Sequence, residues 1–214
     1  MVTLDILSDP VCPWCYIGKA NLDRALERSG DHPLAVEWHP FQLNPDMPAE
    51  GADRKTYLEQ RLGGPARAVA AYRNVLEHAT QAGITLNLDR IERIPNTLDA
   101  HRLIHWAGLE GAQTRVVSSL FTAYWTEGRD IGDPEVLCDI ADGAGLDAAM
   151  IARLLASEAD RDDIRARDAN ARSQGVTGVP TFIVGRRHAV SGAQPPDLWD
   201  RVIAEIRAQE APPA

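Results

Sequence analysis

Apolar and polar positions alternate at the head of the chain, where Val2, Leu4 and Ile6 share one side of "VTLDIL". This period of two predicts a strand over residues 2–7, and Asp9-Pro10 breaks it. Pro13 suits a first helical turn, and Tyr16, Leu22, Ala25 and Leu26 recur at roughly helical spacing as far as Ser29-Gly30. Residues 34–41, "LAVEWHPF", read as a second strand, and the Pro- and Asn-rich "NPDMPAEG" reads as a loop.

From about Asp53 to about Gly175 the alternation gives way to helical stripes. Val69, Tyr72, Leu76 and Ala79 mark one; Ala100, Leu103, Ile104 and Ala107 a second; Val136, Leu137, Ile140 and Ala141 a third; Met150, Ile151, Leu154 and Leu155 a fourth. Such stripes are expected to face a core rather than a ligand. Asp133-Pro134-Glu135 predicts a cap followed by an N1 proline, and Ser157-Glu158-Ala159-Asp160 resembles a capping box. After Gly175 the strand signal returns in Thr181–Val184 and His188–Val190, joined by Gly185-Arg186-Arg187 as a hairpin. Leu198, Trp199, Val202, Ile203 and Ile206 predict a last amphipathic helix, after which "AQEAPPA" should fray. Two β-containing ends thus flank a helical middle.

At 214 residues the chain has ample material for a core without a disulfide scaffold. Three cysteines are an odd and sparse count, which leaves Cys138 without an obvious partner; its apolar stripe predicts a buried filler. With 22 Lys and Arg against 31 Asp and Glu, the charge of −9 repels nucleic acid and anionic membranes on average. The head of the chain carries no basic n-region before Asp5, and no apolar run spans a bilayer, so a cytoplasmic protein is the expectation. In that reducing compartment a close cysteine pair is redox-active or metal-binding rather than structural.

That pair is Cys12 and Cys15 in "SDPVCPWCYIGK", separated by Pro13 and Trp14. A structural zinc site needs four ligands, commonly two close pairs, and only one pair exists. His101 and His105 lie four apart on a predicted helix, yet "HRLIH" lacks a zinc-protease glutamate, so no metal is expected. A redox role accounts for the spacing directly. Two intervening residues at a helix start let the sulfurs bond, while the first faces unpaired N–H groups and the positive helix end, which favour thiolate. Cys12 is then expected to be the exposed attacking thiol and Cys15, one turn in, the shielded resolving one. "GVTGVPTFIV" at residues 175–184 is a strand-entry turn by itself. Coupled to a strand, a C-x-x-C and a helix, it resembles the loop that faces the cysteines in thioredoxin-fold enzymes.

Over nearly the whole chain, "DPVCPWCYIGK", "FQLNP", "NTLDAHRL", "GVTGVPTF" and "SGAQ" resemble the cytoplasmic oxidoreductases named after a frenolicin-biosynthesis protein. That group is DsbA-like and related to 2-hydroxychromene-2-carboxylate isomerases and kappa-class glutathione transferases. The resemblance implies an α/β thioredoxin-like fold over residues 1–50 and 160–214, interrupted by an all-helical insertion at 51–159. It implies thiol–disulfide exchange with Cys12 as nucleophile, Cys15 as resolving thiol, Pro13 and Trp14 in support and Pro180 as a cis-proline. Val179 would offer its backbone to a peptide or to glutathione, and Asn96 would border the substrate pocket while also suiting a helix cap. The isomerase and transferase relatives carry serine where Cys12 stands, so retaining both thiols favours electron exchange. DsbA and thioredoxin carry an acid six positions before the first cysteine; here Ile6 occupies it, with Asp9 nearer in sequence. "SGAQ" lacks the acid that would grip glutathione's glutamyl end, and His39 reads as a half-buried strand residue.

The expected partner is therefore a protein or small-molecule thiol or disulfide, with no tightly bound cofactor and glutathione as candidate co-substrate. Oligomeric state is left open. Two other functions fit the same residues: a glutathione-dependent isomerase or transferase, and a non-enzymatic redox-regulated binding or chaperone module.

Overall fold

The structure, a computed structural model, describes residues 1–210. Strand β1 (Val2–Ser8) leads into helix α1 (Pro13–Ser29) and then β2 (Leu34–Pro40). Far along the chain come β5 (Thr181–Val184), β6 (His188–Ser191) and α9 (Pro196–Glu210). These strands form one mixed sheet in the order β2-β1-β5-β6, with β1 parallel to β2 and antiparallel to β5. Ile6 sits opposite Trp38 on one side and Phe182 on the other, and Phe182 meets Trp199 of α9 edge-on at 4.7 Å. The alternate face of β1 packs Leu7 with Phe41 and Ala171.

Between the two parts of the sheet lie α2 (Arg54–Leu62), α3 (Pro65–Ala82), α4 (Leu98–Leu109), α5 (Gln113–Phe121), α6 (Pro134–Gly143), α7 (Ala148–Leu155) and α8 (Arg161–Ser173). A short ribbon, β3 (Ala52–Asp53) with β4 (Arg93–Ile94), interrupts the expected purely helical stretch. Two residues per strand are too few to leave a period-two signal. A π-helical turn, Thr122–Glu127, follows α5 and buries Tyr124 and Trp125. One apolar core runs from Leu4 and Phe182 in the sheet to Val116, Leu137 and Ile151 in the helices.

The second and third helical stripes pack as expected, and Asp133 caps α6 through the amide of Glu135 at 2.9 Å, with Pro134 at N1. The first stripe is displaced. Val75, Ala79 and Ala82 face the core, whereas Val69 is 62% and Leu76 39% exposed, because only the later turns of α3 lie against the body. Met150 is also exposed on α7, and Cys138 is half-buried rather than buried. The capping box does not form. Ser157 instead accepts from Ala159 within a turn, and α8 starts after Asp160 in left-handed conformation (φ 59°). Residues 211–214, part of the tail expected to fray, lie outside the described residues.

The turn is reshaped by Arg102, whose guanidinium is fully buried. It donates to the carbonyls of Leu154, Ser157 and Ala159 at 2.6, 2.9 and 2.7 Å, and to Asp99 at 2.8 Å. A single cation thereby ties the end of α7 and the turn that follows it to α4.

Candidate active site

Cys12 is the N-cap of α1 (φ −91°, ψ 114°), Pro13 fills N1, and no acidic side chain occupies the first turn. The amides of Cys15 and Tyr16 both return to the carbonyl of Cys12, at 3.1 and 3.3 Å. Proline lacks an N–H, so its place at N1 costs no hydrogen bond and sets the φ the helix needs. The two thiols are both free and both buried. Cys15 is 1% exposed, and burial, then the Cys12 thiol and its charge, hold its pKa well above the ordinary value of 9.0. The Asp9 backbone and the Ser8 side chain, both nearby, oppose that rise.

Cys12 is not the exposed thiol that its position predicts: it is 3% exposed. Its Sγ points to the carbonyl of Val179 at 3.5 Å, in the loop where the Val179–Pro180 bond is cis. Helix α3 adds a second cover. Its His78 meets Trp14 edge-on at 5.1 Å, and Tyr72, under the Arg54 guanidinium at 4.9 Å, feels the charge of Cys12. Burial is the main cause that pushes the Tyr72 hydroxyl up.

Gly18 allows α1 and the proline loop to meet. A Cβ there would stand 3.1 Å from Pro180 Cγ and 3.3 Å from the Phe182 ring. Beneath the thiols, the carbonyl of Asp9 accepts from the Cys12 amide at 2.9 Å, and its buried carboxylate accepts from Leu43 N at 2.7 Å. His101 Nε2 of α4 lies 3.7 Å from that carboxylate. Trp125 Nε1 donates to the carbonyl of Pro10 at 3.0 Å, so side chains from the helices grip the strand–helix turn.

A family model described as a DSBA-like thioredoxin domain matches residues 3–204. The chain belongs to this DSBA-like family. The DSBA-like chain is 30% identical to a probable DsbA oxidoreductase from Streptomyces coelicolor, with a TM-score of 0.85 over 100% of this chain and 93% of that one. It is 27% identical to the uncharacterized protein YwbO of Bacillus subtilis over 95% of this chain and 96% of that protein. Its fold also matches a 2-hydroxychromene-2-carboxylate isomerase (18% identity, TM-score 0.73, 97% of each chain). The cytosolic disulfide reductase DsbM of Pseudomonas aeruginosa is similar too (24% identity, TM-score 0.68, 98% of this chain and 100% of that one).

Within the DSBA-like fold, Cys12, Cys15, Val179 and Pro180 come together, and Pro13 and Trp14 complete the turn. Asn96 serves the backbone: its Oδ1 accepts from Leu98 N at 2.9 Å and its Nδ2 donates to Met47 O at 2.6 Å. It therefore joins the 40s loop to the start of α4. Ser191 and Gln194 bond each other, and the Gln194 carbonyl takes the side-chain amide of Asn21 at 2.9 Å. His39 is half-buried and bonded to Asp5 at 2.9 Å; with Glu37 these form the metal-capable grouping among the described residues, and neither cysteine belongs to it.

A groove of about 400 Å³ runs along Gly178–Thr181 with Ser191 and Gly192 on its rim. A larger cavity of about 460 Å³, lined by His105, Gln113 and Arg167, touches neither cysteine. Sequence reasoning missed Gly18, Tyr72 and the partnership of Asp9 with His101. The one sequence signal was Asp9's nearness to the thiols; the other residues lie on helices whose packing no local pattern specifies. Among the described residues no helix is long and apolar enough to cross a membrane.

Proposed function

We propose that this DSBA-like chain is a thiol–disulfide oxidoreductase that exchanges a Cys12–Cys15 disulfide with protein or small-molecule thiols. The observation that carries it is the placing of two free thiols at the start of α1, the first against the Val179 carbonyl beside the cis proline. In the oxidising direction a substrate thiolate attacks Cys12 Sγ, the Cys12–Cys15 bond breaks, and Cys15 leaves and takes up a proton. Burial favours that protonated Cys15. A second substrate thiolate then attacks the substrate sulfur bound to Cys12 and releases it. Two substrate thiols lose two electrons and two protons, and the enzyme gains a dithiol. Reduction is the reverse path.

The groove beside Pro180 suits an extended peptide, with the sheet end supplying backbone partners. The redox module is residues 1–50 and 160–214, and the helices of 51–159 roof it. We assign glutathione as co-substrate and the cytosol as compartment, in keeping with DsbM, whose structure is also described with GSH. The isomerase kinship supports a second reading, glutathione-dependent isomerisation, in which Cys15 is dispensable.

The test is the redox state of Cys12–Cys15 across buffers of reduced and oxidised glutathione, read by alkylation and mass spectrometry. A reversible two-electron transition is expected, and its midpoint gives the preferred direction. A lasting glutathione adduct on Cys12, with no bridge to Cys15 at any poise, would sink the dithiol mechanism and favour the isomerase.

A further inference from the structure

One face of the sheet carries a group of donors that the thiol chemistry does not use. Residues two apart on a strand share a face, so Asp5 lies on the Leu7 side of β1, away from the side on which Ile6 packs with Cys12 and Cys15. The parallel register sets Glu37 directly opposite Asp5, and His39, two residues further along β2, falls on the same face. There His39 Nε2 stands 2.9 Å from Asp5 Oδ1 and 3.9 Å from Glu37 Oε2, and one donor atom from each of the three lies within 4.8 Å of the others. Like charges directly opposite on adjacent strands are destabilising unless something positive stands between them. Among the described residues neither acid has a Lys or Arg ion pair; His39 is the partner of both. Arg167 and Arg186 line the adjoining cavity, but Arg167 is bonded to His105 at 3.2 Å and paired with Asp163 at 3.7 Å. A carboxylate on an inner strand with its side chain 15% exposed is costly, and a neutral imidazole leaves most of that charge uncompensated.

We propose that Asp5, Glu37 and His39 form a binding site for a divalent transition-metal ion, with Zn²⁺ as the ion their donors match. One imidazole nitrogen and two carboxylate oxygens make a three-ligand zinc set, whose bonds of about 2.0–2.2 Å hold the donors about 3.3–3.6 Å apart in a tetrahedron. The separations here straddle that spacing, so the ion needs side-chain rotation and no shift of the paired strands. Its charge offsets both carboxylates and clips β1 to the edge strand β2. Three protein donors leave a fourth position open. Cavities of about 340 Å³, beside Asp5 and His39, and about 460 Å³, beside Glu37 and His39, give that position room for a water. The site is independent of the thiol–disulfide chemistry, because it lies on the other face of the sheet.

The test is a Zn²⁺ titration by calorimetry on the full chain carrying Cys12→Ser and Cys15→Ser, so that the dithiol cannot compete for the metal. One Zn²⁺ per chain is expected. Adding His39→Ala or Asp5→Asn should weaken binding at least about tenfold, and Glu37→Gln, at the more exposed donor, should weaken it less. No binding in the starting chain, or an affinity unchanged by His39→Ala, would overturn the site. Mg²⁺ binding as tightly as Zn²⁺ would reduce it to unspecific attraction by acids and overturn it as well. If the serine chain does not fold, Co²⁺ added to wild type decides by absorption spectroscopy. Nitrogen and oxygen ligation gives visible d–d bands without the intense near-ultraviolet band of thiolate-bound cobalt, and those d–d bands should be lost in His39→Ala. A spectrum of thiolate type alone, or one that the substitution leaves unaltered, would overturn the assignment.

Discussion

Arg102 and the Cys12 and Cys15 thiols are all buried, yet the structure treats their polar groups in opposite ways. Arg102 has carbonyl or carboxylate acceptors on every nitrogen and a Trp106 ring 4.8 Å from its centre. At the thiols, by contrast, Cys12 Sγ meets the Val179 carbonyl at 3.5 Å, and Cys15 is enclosed by burial rather than by such a network. Below them the His101 Nε2 atom has no hydrogen bond. A fully satisfied buried charge fixes one arrangement, whereas a sparsely satisfied one remains open to chemistry.

The largest effect expected is on activity. Cys12→Ser should reduce disulfide exchange to background, while Cys15→Ser should accumulate mixed disulfides visible as added mass; full turnover in Cys12→Ser would erase the chemical half of the contrast. Next is Arg102→Ala, which leaves four backbone carbonyls without their cation and Asp99 with Arg161 alone, and should cost about 3–5 kcal/mol in chemical denaturation. The redox midpoint of whatever remains folded should be unchanged. A loss below about 1 kcal/mol would mean the hub is not structural.

Gly18→Val links the two regions' styles, since it adds bulk where α1 meets Pro180 at 3.1 Å. It should destabilise by about 1–3 kcal/mol and slow the alkylation of Cys12 as the loop shifts. An unchanged rate and melting temperature would show that the contact yields freely.

The smallest effect is on pH. The folded pKa of Cys15 is raised, so the stability from its neutral form is complete below the unfolded value near 9.0 and is lost as pH rises above it. Tyr72 and Tyr124, also raised by burial, add losses at higher pH. The reduced protein should lose up to about 1.4 kcal/mol per pH unit from Cys15 there, and Cys15→Ala should flatten the early part of that decline in a urea series. A slope identical in the variant would remove Cys15 as its source.

Much of the sheet was legible because β1 follows apolar alternation and the other strands are short apolar runs bounded by Pro and Gly. The caps at α1 and α6 were equally local, since Pro13, Asp133 and Pro134 act within one turn. The α3 stripe was misplaced by about one position, because Leu76 and Val75 are equally apolar and only neighbours choose between them. Ser157 likewise had the right spacing for a cap, but Arg102, 55 residues away in sequence, draws the carbonyls of that turn inward. Cys12 was expected at the surface for the same reason: nothing near it in sequence announces the Val179 carbonyl or Tyr72.

The sequence by itself determined the strand–turn–helix unit, the pair of cysteines at its start and the proline strand-entry turn, since each depends on contacts a few residues apart. Tertiary structure alone decided that Cys12 is covered, that Gly18 must remain small and that His101 faces Asp9. Those outcomes depend on which helix face reaches which turn across 100 or so residues, and packing chooses that face through the whole core at once.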